Sequence, residues 1–145
     1  MAASQRETIL KALKTCLEGI TAANGYAIEV EEVRRGIHFE DNMPNRPALG
    51  YSNIKATRVN GAFGQSQRTL TVLIYGYVDV QPDGYDNLDD LMQAVEQRLM
   101  TPAAWAYRGD TEIKDYTIYE GGVHDQLGYF DMEVEIQYLH DLASP

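Results

Sequence analysis

One cysteine in 145 residues leaves this chain no internal disulfide framework. It also lacks an apolar run near the ~20 residues a helix needs to span a bilayer. The opening MAASQRETIL turns polar at once, unlike a secretory leader, so the expectation is a chain that is soluble and intracellular when made. Cations are scarce: 12 Lys and Arg stand against 22 Asp and Glu, for a net charge of −10. A surface of that sign repels phosphate and disfavours tight binding to nucleic acid or anionic membranes. Tryptophan and phenylalanine number only 1 and 3, whereas tyrosine numbers 10. Tyrosine suits half-buried sheet faces and interfaces, where one end of the ring is dry and the other wet. The length fits a single domain, residues 1–145. Size scaling leaves roughly 7,500 Å² of surface folded against roughly 23,600 Å² unfolded, enough burial for a core without metal or disulfide.

The motifs of common chemistries are missing too. GAFG at 61–64 lacks the G-x-x-x-x-G-K-[ST] spacing, and no G-x-G-x-x-G or G-x-S-x-G occurs. His38, His124 and His140 sit in unlike contexts with no H-x-x-x-H pair. Glu29, Glu31 and Glu32, like Glu133 and Glu135, could be imagined as acid–base pairs, but strand alternation sends 29 and 31, or 133 and 135, to one solvated side. The stretch DVQPDGYDNLDD, residues 79–90, imitates a calcium loop with Asp79, Asp83, Gly84 and Asp90 at positions 1, 5, 6 and 12. Such a loop needs flanking helices and six ligand positions. Here a strand pattern precedes it, position 3 is Gln81, position 8 is charged Asp86, and position 12 is the shorter Asp90. Local roles account for it better: Pro82-Asp83-Gly84 as a turn, Asp86 as a helix N-cap and Asp89 in the first turn. No catalytic residue, cofactor or metal site is expected, and the chain does not read as an enzyme.

What is present is a clear run of elements. Residues 4–20 form a first helix, with Ser4 and Glu7 in the capping-box spacing and Ile9, Leu10, Leu13, Cys16, Leu17 and Ile20 on one stripe. Cys16 within that stripe reads as an inert core thiol. Alternation predicts a strand over 26–33 and a short one over about 47–54. Segments at about 34–46 and 55–67 show no period and read as long loops. RTLTVLIYGYVDV, 68–80, is apolar on both faces and predicts a central strand. Leu88, Leu91, Met92, Val95 and Leu99 give a second amphipathic helix, stopped by Pro102. Strands over 110–120 and 129–139 close the chain, the last alternating Phe130, Met132, Val134, Ile136 and Tyr138 against acid. The order is α-β-β-β-α-β-β. The predicted class is α+β, a mostly antiparallel sheet with two helices packed on one face.

Charge is segregated along the sequence. Arg34, Arg35, Arg46, Arg58 and Arg68 fall in and around the two loop segments, while acid lines the second helix and last strand. Together with Phe63 these arginines are the candidate interface residues, suited to head-to-tail contact between copies.

A capped helix, a strand and a loop-rich middle precede RTLTVLIYGYVDV; a DNLDDLMQAVEQRL helix and a hairpin ending in YFDMEVEIQY follow. This arrangement resembles the tail terminator proteins of long-tailed bacteriophages over about residues 4–140. The likeness lies in element order, length and hydrophobic pattern. It implies a virion structural protein at the head-proximal end of the tail, present in the host cytoplasm during assembly. It implies a homo-oligomeric ring, typically a hexamer, that caps the tail tube, stops tube polymerisation and offers a docking surface to the head connector and neck proteins. DNA would pass through the lumen without specific binding, and no membrane partner is implied. A phage neck or head–tail joining protein is a related alternative. A small acidic α+β enzyme or metal-binding module is one of a different class.

Overall fold

The structure, a computed structural model, describes residues 4–60, 65–80, 85–120 and 127–141. Helix α1, Gln5–Glu18, starts where expected, with Ser4 Oγ accepting from Glu7 N at 3.1 Å. Its buried stripe is Ile9, Leu10, Leu13, Cys16 and Leu17. Helix α2, Tyr85–Met100, buries Leu88, Leu91, Ala94, Val95 and Leu99. It begins one residue before Asp86, which corrects the N-cap assignment. Asp86 lies inside the first turn, where its charge meets the helix dipole, and the turn assigned to Pro82-Asp83-Gly84 lies outside the described residues.

Five strands form one sheet in the order β1-β2-β3-β5-β4: β1 Glu32–Arg35, β2 Ala48–Asn60, β3 Gln65–Asp79, β4 Thr111–Tyr119 and β5 Leu127–Asp141. Only β1 and β2 run parallel; every other neighbouring pair is antiparallel. The α+β class and element order are as predicted. β3 is central, and side chains on both its faces are buried, among them Val72 and Ile74 on one and Tyr75 and Tyr77 on the other.

Two strand boundaries differ from the expectation. The strand predicted over 26–33 is regular only from Glu32 onward. Tyr26, Ile28 and Val30 still pack against the core, but β2 starts at Ala48, so the backbone before residue 32 has no ladder to join. It is held instead by Val30 N to Ile20 O and Glu31 N to Pro47 O.

The segment 55–67 is largely strand and not loop: β2 runs on to Asn60 and β3 begins at Gln65, leaving 61–64 outside the described residues. Residues 54–59 are all exposed, so they carry no hydrophobic period to read. Backbone pairing with β3 extends them, from Lys55 opposite Thr71 to Asn60 opposite Ser66. A bulge separates Asn53 from Lys55, and Asn53 Nδ2 donates to Lys55 O and Thr71 O, satisfying the backbone that the irregularity frees.

One core joins both helices to one face of the sheet. It includes Leu49, Leu70, Val72, Ile74, Phe130, Met132, Val134 and Ile136, together with Trp105 from the α2–β4 connection. The opposite, outer face carries a smaller cluster at one end, Met43, Ala48, Tyr75 and Tyr77.

Candidate functional site

The outer face divides into an aromatic end and an acidic middle. Alternation along β3 and β5 sends Tyr75, Tyr77 and Tyr129 to this side, and Gly50 on β2 leaves room for the Tyr75 ring. Ring centroids lie 5.9 Å apart for Tyr75–Tyr77, 5.3 Å for Tyr77–Tyr129 and 6.5 Å for Tyr75–Tyr129. The first pair is edge-on, an arrangement the ring quadrupoles favour.

The hydroxyls are committed. Tyr75 Oη accepts from His38 N and donates to Gly36 O, both at 2.7 Å. Tyr77 Oη donates to His38 O at 3.0 Å, and Tyr129 Oη donates to Asp131 Oδ2 at 2.8 Å. The bonds of Tyr75 and Tyr77 hold the segment 36–38 against the sheet. Burial pushes all three hydroxyls above the usual tyrosine range, and for Tyr129 the bond to Asp131 pushes the same way. They therefore stay protonated at neutral pH.

Between this floor and the segment lies a cavity of about 420 Å³, walled by Ile37, Phe39, Tyr75, Tyr77, Tyr119 and Tyr129. Phe39 is 71% exposed and Ile37 56%, so its lip is apolar and open to solvent. With the hydroxyls of Tyr75, Tyr77 and Tyr129 engaged, the cavity offers ring faces and aliphatic surface, with Glu40 and the His38 imidazole also in its lining. That is a surface suited to contact.

The acidic middle lies over β4 and β5. Glu112 pairs in register with Glu135, and Asp115 with Glu133. Lys114 bridges the first pair, with Nζ 3.3 Å from Glu112 and 3.5 Å from Glu135. Its pKa is raised, chiefly by the hydrogen bond to Glu112. Among the described residues no cation makes an ion pair with Asp115 or Glu133. Like charges directly opposite across a ladder are destabilising.

The predicted arginines do not form one patch. Arg34 and Arg35 lie on the edge strand β1, and Arg34 is paired with Glu32. Arg35 is exposed. Arg46 is structural: it reaches Asp79 at 3.3 Å and donates to Glu40 O at 3.3 Å, tying the loop to the end of β3. Arg58 and Arg68 do meet. They face each other in register on β2 and β3, near the opposite end of β3 from Asp79. Phe63 lies outside the described residues.

Arg6, missed by the sequence reading, joins Arg58 and Arg68. The three line a groove of about 390 Å³ on the helix side of the sheet, with Ser4, Leu70 and Tyr138. No carboxylate lines it among the described residues. Arg6 Nε donates to Asn53 Oδ1 at 2.7 Å, and Arg68 Nε to Ser66 Oγ at 3.4 Å. The available signal was Arg6 itself, a cation in the first turn of a helix, where the dipole disfavours positive charge. The tyrosine cavity had a signal too, the i, i+2 spacing of Tyr75 and Tyr77.

Among the described residues, no three His, Cys, Asp or Glu side chains gather as a metal site. No described helix is long and apolar enough to cross a membrane. No family model matches this chain, and no curated protein matches it significantly.

Proposed function

We propose that this chain is the tail terminator of a long-tailed bacteriophage, a structural protein that works by assembling. In this reading copies form a ring, typically of six in the family the chain resembles, on the end of the finished tail tube. The ring halts tube growth and presents its other side to the head connector or neck. The resemblance in element order and hydrophobic pattern supports it. The observation that carries it is the separation of charge across the sheet, with Arg6, Arg58 and Arg68 on the helix side and Glu112, Asp115, Glu133 and Glu135 on the outer side. A molecule with unlike patches on unlike faces is suited to head-to-tail contact, the kind that closes a ring. A net charge of −10 per copy also keeps a passing duplex off the ring wall, through repulsion of its phosphates.

The test is loss of function in an infected host. Without this protein, electron microscopy is expected to show tails of uncontrolled length that fail to join heads, restored by supplying the chain in trans. Normal-length, head-joined tails made without it would overturn the reading.

The tyrosine-walled cavity favours a second reading, a small binding module for an apolar ligand. Its volume lies within the range of ligand sites, roughly 300–1,000 Å³. A fragment screen observed through the ring protons of Tyr75, Tyr77 and Tyr129 tests it. Saturable shifts at those rings are expected if the reading holds, and their absence across the screen counts against it.

A further inference from the structure

Two surfaces of this molecule are electrostatically unfavourable in the isolated chain, and they are opposite in sign. Arg58 and Arg68 stand directly across from each other on β2 and β3, with Arg6 of α1 beside them in a groove that no described carboxylate lines. Glu7 shares the first turn of α1 but does not line the groove. On the other face, Asp115 stands across from Glu133, and Glu112 from Glu135, with Lys114 bridging the second pair. Each arrangement sets like charges at cross-strand distance, where they repel.

The chain as a whole makes such a cationic groove conspicuous. With 22 acidic residues against 12 basic ones, three arginines gather where, among the described residues, no carboxylate pairs with them. The ion pairs of the described residues lie elsewhere, at Glu32–Arg34, Arg46–Asp79 and around Lys114. Guanidinium groups also recognise carboxylates through paired, directional hydrogen bonds.

We infer that the Arg6–Arg58–Arg68 groove of one copy receives the Asp115–Glu133 face of a second copy. Carboxylates entering the groove relieve the arginine repulsion, and the arginines in turn relieve the carboxylate pairs, so each copy supplies what the other lacks. Since the two surfaces lie on opposite faces of one sheet, a dimer made this way still has one free surface of each kind. The contact is heterologous and ends only by closing into a ring. This deepens the assembly reading and rests on it for the closed ring, while the contact itself can be tested without tails.

The experiment uses two charge-reversed forms of the full chain. One carries R58E and R68E; the other carries D115K and E133K. Light scattering at 50 mM salt is expected to show the native chain assembled and each variant alone weakened by about tenfold or more in association, as for close charge pairs at interfaces. An equimolar mixture of the two is expected to assemble again in alternation, because every contact in it pairs a reversed groove with a reversed face, or a native groove with a native face. Circular dichroism and thermal melts check folding. Should either reversal unfold the chain, the neutral forms R58Q/R68Q and D115N/E133Q replace it, with weakened association again expected.

A native chain that stays monomeric would overturn the inference. So would assembly indifferent to both reversals, or variants that fail to complement on mixing. Saturable binding of inorganic phosphate in the groove, with assembly unchanged by R58E/R68E, would instead make it an anion site and also overturn the inference. Restored assembly that nonetheless caps no tails would leave the contact standing and remove the tail reading; capped tails indifferent to both reversals would do the reverse.

Discussion

Cys16 lies at 1% exposure on the inner stripe of α1, and burial raises its thiol from 9.0 to about 11, against a smaller lowering by Arg98. The thiolate fraction at neutral pH is then negligible, and iodoacetamide is expected to modify Cys16 only in denaturant, a difference mass spectrometry reads directly. The same shift has a sign in stability. An acid whose folded pKa exceeds its unfolded value loses protons first from the unfolded chain, so stability falls as pH rises from about 9 toward about 11. The hydroxyls of Tyr75, Tyr77 and Tyr129, raised by burial, extend that loss above pH 10. Urea melts from pH 8 to 11 are expected to show this decline, and C16A to remove its earliest part. Gly50 shows how one missing side chain positions a surface: a Cβ there would fall into the Tyr75 ring. G50A is expected to displace that ring and release the segment 36–38, losing about 1–3 kcal/mol through overpacking. Hydrogen exchange at His38 N, now bonded to Tyr75 Oη, is the local readout.

Each element was legible in proportion to how much apolar surface its own residues bury. α1, α2, β3 and β5 declare themselves because the core selects Leu, Ile and Val at the helical or alternating period. The far half of β2 does not, since its side chains face water and its conformation comes from β3 alone. Residues 26–31 erred the other way: Tyr26, Ile28 and Val30 alternate as a strand does, yet the neighbour that would make them one starts too late. The candidate surfaces followed the same logic. The arginines were visible as residues, but register decides which of them meet, and the pairing of Arg58 with Arg68 is a property of the β2–β3 ladder. At the start of α2, Asp86 sits within the first turn and not before it. D86A is therefore expected to cost about 0.3–1 kcal/mol through the lost charge–dipole interaction, below the usual cost of about 1 kcal/mol or more for deleting a cap. Chemical denaturation in low salt compares it with D86N. Equal losses at low and high salt would point to a hydrogen bond and not to the dipole.

For the whole molecule, fold stability and assembly are expected to respond to salt in opposite directions. Each chain carries −10 overall, and its like-charge pairs, Arg58–Arg68 and Asp115–Glu133, oppose folding of the free monomer. Its exposed ion pairs, such as Lys114–Glu112, offset little of this, because solvent screens pairs at the surface. Raising sodium chloride from 0.1 to 1 M shortens the Debye length from about 10 Å to about 3 Å. Self-repulsion is screened, and the melting temperature of dilute, dissociated chain is expected to rise. The same screening weakens attraction between basic groove and acidic face, so the oligomer is expected to dissociate. Measuring melts at a concentration below assembly keeps the two effects apart, since association would otherwise stabilise the fold by mass action. Melting temperature and scattering mass that rise together with salt would mean that apolar contact, such as the lip formed by Ile37 and Phe39, holds the copies together in place of charge.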